Sequence, residues 1–376
     1  MKKEETAKEL LKQTKEKEET LHELLNQPLT FTQKALVDVL YTFYFDVLGK
    51  KPKIDEDATR QARETFKKYF PEKLEDMLAQ LLDDPEGYQQ KVAAFEKTCP
   101  PVVVDFPTDP SYYRVIVSDP SRQLQEVLTR LALFSNFPSS NGTYSALDVG
   151  TGYGRLAMVI EDTLRSLCSG GKGYRVFGMD ISEGNIEAAK KLKQETGSEI
   201  TFFTRDMNQI PFPSNSLNLV NTTDASYLNF RHRRPFFIAE IARVLRPDGG
   251  VCCITNPNEH TTLKEYQYLM MRTNYRTYFN PVNIMKAMVL GKCSIYIDAL
   301  SKARPDCALT TTADMTNLLK RVLKSDIIDV NNWPKKGGPS IYSGFTFAVN
   351  DSTKKQIDRY TKFRERRKAA EQWFDI

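Results

Sequence analysis

The chain reads as an α/β protein built on a seven-stranded, mainly parallel sheet with one antiparallel strand, preceded by a helical domain. Three observations predict this. From about residue 119 to residue 350, short apolar runs alternate with helix-patterned segments, the grammar of βαβ units. The turn Asp148-Val-Gly150-Thr151-Gly152-Tyr-Gly154 directly follows one apolar run and opens a helical pattern. The last two runs have no helix between them and are joined by Trp333-Pro-Lys-Lys-Gly-Gly-Pro, a loop suited to an antiparallel return.

Composition narrows the class. With 376 residues, 40% hydrophobic and 27% charged, the chain can bury a large core. The net charge of +5 is too mild to require a nucleic-acid partner, and none is expected. The 6 cysteines include no C-x-x-C pair and there are only 3 histidines, so no metal site is expected. Scattered thiols suit a reducing, cytoplasmic setting. Met-Lys-Lys-Glu-Glu at the start has no apolar region of the signal-peptide kind. No apolar run reaches the length of a membrane span; Leu36 to Leu48 is too short and carries Asp38 and Asp46.

Taken in order, residues 1–27 are dominated by Lys and Glu and read as a charged helical arm, solvated or frayed. Residues 28–104 read as a helical domain. Phe31 to Gly49 is apolar all round, as a buried helix would be, and helices are expected near Asp57–Tyr69, Pro71–Asp83 and Gly87–Lys97. The pair Pro100-Pro101 ends this run. Residues 105–350 carry the α/β pattern. Asp119 and Pro120 suit the N-cap and first position of a helix, and Leu124, Val127, Leu128 and Leu131 give it an apolar face. Strands are expected at Ser145–Val149, Arg175–Met179, Ile200–Thr204, Leu217–Thr222, Gly250–Thr255, Ile327–Asn332 and Tyr342–Val349. Residues 256–309, rich in aromatic and Met side chains, exceed an ordinary connection and read as a lid insertion. Residues 351–376 read as a basic C-terminal helix that docks by an amphipathic face.

The glycine turn is the centre of the functional reading. Glycines let the backbone turn sharply and approach a ligand where a Cβ would clash. A nicotinamide-dinucleotide fingerprint would need its third glycine where Arg155 stands. Asp148, two residues before the first glycine, can instead accept from an ammonium group or from water beside it. Companions follow in order. Phe177-Gly-Met-Asp180-Ile181-Ser182 ends the next strand with an acid where a ribose diol would find an acceptor. The interval from Asp148 exceeds the usual length of roughly 20 residues, and the loop Ser169-Gly-Gly-Lys-Gly173 accounts for the excess. Thr204-Arg-Asp206-Met207 places a carboxylate where an adenine amino group could donate. Ile210-Pro-Phe-Pro-Ser-Asn-Ser-Leu-Asn-Leu-Val220 leads into the fourth strand. Glu240-Ile-Ala-Arg-Val-Leu-Arg-Pro-Asp-Gly-Gly250 leads into the fifth.

Together these motifs resemble the class I S-adenosylmethionine (SAM)-dependent methyltransferases over about residues 119–350, most closely the branch of ubiquinone- and menaquinone-biosynthesis and small-molecule methyltransferases. The resemblance implies a Rossmann-like class I methyltransferase fold and SAM as cofactor. It implies that Asp148, Gly150, Thr151, Gly152 and Gly154 line the methionine end, Asp180 holds the ribose, and Ile181 flanks the adenine. Asp206 and Met207 would border the adenine, and Thr222 would lie near the methyl donor. The fourth strand ends Asn221-Thr-Thr-Asp-Ala-Ser-Tyr-Leu, without a tetrad such as N-P-P-Y, so amino methylation of DNA bases or glutamine is not indicated.

Methyl transfer from a sulfonium asks mainly for alignment and exclusion of water, and for a base only where the acceptor must lose a proton. Asp224, Tyr227 and His260 follow strand ends where acceptors approach and are the catalytic candidates. Arg231-His-Arg-Arg234 reads as a solvated helix start or an anion contact. Tyr112-Tyr113-Arg114 reads as interdomain packing or a cover over the cofactor's carboxylate. The expected acceptor is a small or medium organic molecule. The alternatives are a protein acceptor chosen by the helical domain, and a SAM-binding regulator without turnover.

Overall fold

The computed structural model describes residues 2–26, 56–100, 120–137, 142–168, 173–225, 229–257, 312–333 and 342–367. The expected helix at Phe31–Gly49, the segment Tyr112–Arg114, Tyr227, His260 and nearly all of the 256–309 insertion lie outside them. Among the described residues no helix is long and apolar enough to cross a membrane.

Helix α1 covers Lys2–Asn26, α2 Glu56–Tyr69, α3 Leu74–Asp83, α4 Pro85–Thr98 and α5 Pro120–Asn136. Then come β1 Tyr144–Val149, α6 Arg155–Leu167, β2 Tyr174–Asp180, α7 Glu183–Thr196, β3 Thr201–Thr204, β4 Leu219–Thr223, α8 Arg234–Val244 and β5 Val251–Pro257. After the insertion follow α9 Thr312–Asn317, a π-helical turn Leu318–Val322, β6 Asp326–Trp333, β7 Tyr342–Ala348, α10 Asp351–Gln356 and α11 Asp358–Arg367. All seven expected strands are present, with ends moved by at most two residues.

The strands lie in the order β3-β2-β1-β4-β5-β7-β6. Neighbours from β3 to β5 are parallel, and β7 runs antiparallel to both β5 and β6. The expected seven-stranded, Rossmann-like sheet with one reversed strand is thus the observed one. Strand order reverses between β1 and β4, where Asp148 pairs with Asn221 and Val149 with Thr222. In open α/β sheets ligands bind in the crevice at that switch point.

Both faces of the sheet are covered, which explains why the strands are near-continuous apolar runs. One face gathers Tyr144, Ala146, Val176 and Leu219 of the sheet with Leu133 of α5, Ala157, Ile160 and Leu164 of α6, and Ile186 and Ala189 of α7. The other gathers Leu147, Val149, Phe177, Cys252 and Phe347 with Ile238, Ile241 and Ala242 of α8 and Tyr360 and Phe363 of α11. Phe66, Phe70, Leu74, Met77, Leu78, Leu81, Tyr88 and Phe95 of the α2–α4 region join that same cluster. These helices therefore share apolar surface with the sheet domain. Helix α1 differs from a solvated arm: it packs against α5 and α6, with Thr14 and Leu21 buried.

Candidate functional site

The turn after β1 forms the floor of the crevice. Gly150 and Thr151 donate their backbone N–H groups to the Met179 carbonyl at 2.8 and 3.0 Å, tying the turn to β2. Gly150 has φ +69°, and a Cβ there would come within 2.1 Å of the Ala225 methyl; that closeness lets the β1 and β4 turns meet. Gly152 has φ +56°, but a Cβ there would meet nothing within 4 Å. Its side-chain direction opens into the crevice, so a cofactor can lie against the bare backbone. Gly154 leads into α6 beside the Phe202 ring.

Asp148 is 2% exposed. Its Oδ1 accepts from Asn221 Nδ2 at 2.7 Å and its Oδ2 from Thr151 Oγ1 at 2.7 Å. Burial pushes its carboxyl up to about 6, against the lowering by the Asn221 and Thr151 bonds and by the Arg155 charge. It is a buried acid with neutral partners. Asn221 is held in turn by the Thr129 hydroxyl of α5, 3.2 Å from its Oδ1.

Asp180 ends β2. Its Oδ2 accepts from Gly152 N at 2.9 Å. Its Oδ1 accepts from Ser182 N at 2.9 Å and from Asn185 Nδ2 at 3.4 Å. The carboxylate is thus fixed against both glycine turn and α7, with a lone pair of Oδ2 left for a further donor. Ile181 beside it is 65% exposed, an apolar side chain available to cover a flat ring. Asp206 follows β3, whose exit is pinned by Arg205 N donating to the Asp180 carbonyl at 2.9 Å. Asp206 Oδ1 accepts from Asn208 N at 2.9 Å and Asn208 Nδ2 at 2.8 Å, and Asn208 exchanges bonds with Asn229 at 3.2 and 2.8 Å. Met207 packs partly buried against the core.

Thr222 is fully buried near the end of β4. Its hydroxyl and that of Thr223 have no hydrogen-bond partner among the described residues. Asp224 follows with φ +54°, a left-handed conformation that Asp tolerates better than most residues. Its N donates to the Thr255 carbonyl at 2.9 Å and its Oδ2 accepts from Gln125 Nε2 at 3.2 Å. Gln125 of α5 is itself gripped by Arg155, whose Nη2 donates to its Oε1 at 3.0 Å while Nη1 meets Glu126 at 2.8 Å.

The structure brings Asp148, Gly150, Thr151, Gly152, Asp180 and Thr222 together at the carboxyl ends of β1, β2 and β4. The next strand exit brings Asp206 and Met207, and Asp224 stands at the end of β4. Sequence reading missed Gln125, Thr129 and Asn221. A buried Asn in a central strand must find partners, and that was the available signal. The Arg231–Arg234 cluster is neither a solvated helix start nor an open anion site. Arg231 donates to the Glu72 carbonyl, His232 and Arg233 bond Glu96, and Arg234 Nε donates to the Asn229 carbonyl at 2.9 Å.

Three features fit a SAM-sized group: open space above Gly152, the exposed Ile181 beside a fixed carboxylate, and an orphaned buried hydroxyl at Thr222. Residues 146–249 match the family described as methyltransferase domain. Among solved structures, the chain is similar to a protein of Pyrococcus horikoshii OT3, with 16% identity, 64% of this chain and 100% of that one covered, and a TM-score of 0.41. It is also similar to a SAM-dependent methyltransferase from Aquifex aeolicus, with 16% identity, coverage of 65% and 98%, and a TM-score of 0.37. Likenesses of that size carry no functional argument. No curated protein matches. The matched stretch runs from β1 to the turn before β5 and contains the glycine turn, Asp180 and Asp206. Residues 146–249 of this chain therefore carry a methyltransferase domain, an enzyme domain for which S-adenosylmethionine is the implied cofactor.

Proposed function

We propose that the domain methylates a small or medium organic acceptor, with the cofactor held as the sequence motifs suggest. In this reading Asp148 and the turn from Gly150 to Gly154 take the methionine end, Asp180 the ribose, Ile181 a face of the adenine, and Asp206 with Met207 its edge. Thr222 lies by the reacting centre. The cofactor supplies a methyl group already activated on a sulfonium. The protein's work is then to orient that group, exclude water and, where the acceptor carries a proton, receive it. Asp224, fixed by Gln125 and the Thr255 carbonyl, is the described candidate for the last role; Tyr227 and His260 remain candidates beside it. Residues 105–350 form the catalytic domain, with 256–309 as the acceptor-selecting lid, and residues 28–104 are a supporting module. The core faces of Phe66, Phe70, Tyr88 and Phe95 are turned toward the domain's own cluster. This favours a small acceptor over a protein one chosen by that module.

The carrying observation is Asp180, fixed by Gly152 N and Ser182 N beside the open side of Gly152. Calorimetry with SAM, S-adenosylhomocysteine (SAH) and NAD tests it. SAM and SAH should bind one site per chain, and NAD should not. Asp180→Ala should weaken SAH at least about tenfold, because each bond to a charged group contributes about 1.5–3 kcal/mol. Gly152→Val should abolish binding by filling the crevice. Parent-like SAH affinity in Asp180→Ala would remove the ribose assignment.

A further inference from the structure

One guanidinium joins the helical module to the far end of the cofactor site. Arg233, at the start of α8, donates from Nε to Glu96 Oε1 at 2.5 Å and from Nη2 to Glu96 Oε2 at 2.8 Å. Its Nη1 lies 3.6 Å from Asp206 Oδ2. Glu96 belongs to α4.

The module grips this segment from several sides. His232 Nε2 is 2.8 Å from the same Glu96 Oε1. The His232 ring packs against those of Phe70, Phe95 and Phe230, with centroids 5.6, 4.8 and 5.9 Å away. Tyr88 Oη donates to the His232 carbonyl at 2.9 Å. With two guanidinium donors locked by Glu96, the third direction is no longer free to wander. Asp206 has its Oδ1 occupied by Asn208, so Oδ2 is the oxygen that faces Arg233.

We propose that Glu96 and Arg233 are positioning residues that set base specificity: through them the helical module holds Asp206 Oδ2 in one place, and thereby makes the site select a 6-aminopurine. This rests on the reading that Asp206 borders the adenine. An ionised carboxylate only accepts hydrogen bonds. Held still, it meets the donor of a 6-amino group and opposes a 6-oxo group. Released, it can turn to the N1–H of a 6-oxopurine, and the preference fades.

The test is calorimetry of the full chain with SAH and with its hypoxanthine counterpart, S-inosylhomocysteine. The proteins are the parent, Asp206→Asn, Glu96→Gln and Arg233→Met, each confirmed folded by thermal melting. The parent should prefer SAH by about tenfold or more, the effect of one bond to a charged group. Asp206→Asn should collapse that ratio. Glu96→Gln and Arg233→Met should each lower it at least about threefold, whatever they do to stability. A merely structural contact would weaken both ligands alike and leave the ratio unchanged. An unchanged ratio in Asp206→Asn removes Asp206 from the base and overturns the inference with it. A collapsed ratio in Asp206→Asn but the parent's ratio in either folded partner variant overturns the positioning role alone.

Discussion

Two buried carboxylates in this molecule have opposite surroundings. Glu240 of α8 is fully buried. Its Oε1 accepts from Arg243 Nε at 2.8 Å, Arg364 Nε at 3.0 Å and Tyr360 Oη at 2.9 Å. Its Oε2 accepts from Ile210 N at 2.8 Å and Arg243 Nη2 at 2.9 Å. Burial pushes its carboxyl up, but the charges and bonds of Arg243 and then Arg364 prevail and hold it below the usual range. Arg243 also donates to the Phe212 and Ile210 carbonyls at 2.7 and 2.8 Å. The group ties α8, the Ile210–Phe212 loop and α11 together. Asp148 is as buried, but its direct partners are an amide and a hydroxyl, and burial prevails. A carboxylate answered by guanidiniums inside the protein is spent on structure. One left with neutral partners beside a crevice can answer a cation that arrives from outside, which in the proposed function is the ammonium of the cofactor.

The largest test of this contrast is Glu240→Ala. It leaves two guanidiniums without their shared anion, and breaking a buried pair costs about 3–5 kcal/mol. Urea unfolding should show that loss, while SAH affinity of the folded fraction stays close to the parent's. Asp148→Asn should do the reverse. The urea midpoint at pH 7 should be kept or raised, because a poorly compensated buried charge is removed, and SAH should bind about tenfold more weakly. Matching stability losses in the two variants would erase the distinction.

The smallest effect is in pH. The folded protein holds the Asp148 proton up to about 6, whereas an unfolded chain releases it near 3.9. The folded state therefore binds the extra proton between those values, and this group's contribution to stability falls as pH rises from about 4 to 6. Bound ammonium favours the ionised acid. SAH affinity should then strengthen from about pH 5 to 7 and level off above. Calorimetry across that range should show the bend in the parent and not in Asp148→Asn. The same bend in both would place its origin in another group.

The parts of the fold that were legible in sequence are those written locally. Strands such as Tyr144–Val149 and Val251–Pro257 are short apolar runs because both faces are covered, and the glycine turn announces itself within seven residues. Asp180 and Asp206 stand out in the sequence because one ends a strand and the other follows the next strand by two residues. The long-range pairs were not legible. Arg364 meets Glu240 across 124 positions and Arg233 meets Glu96 across 137, so in the chain each looks like an ordinary surface charge. Arg231–Arg234 read as an exposed cluster for the same reason. Helix α1 read as a solvated arm because Lys12 to Thr20 has no apolar residue, yet it lies on α5 and α6.

The strand order β5-β7-β6 bears on how this protein is made. On the ribosome, β5 is complete once Pro257 has emerged, but its partner on that side is β7, Tyr342–Ala348. At about 5–20 residues per second, the edge of β5 waits on the order of ten seconds, and β6 emerges in the interval without being its neighbour. An open edge on a hydrophobic sheet is a template for wrong pairing. The nascent chain must therefore keep β6 from taking the place of β7, and that wait is where a holding chaperone would have most to do.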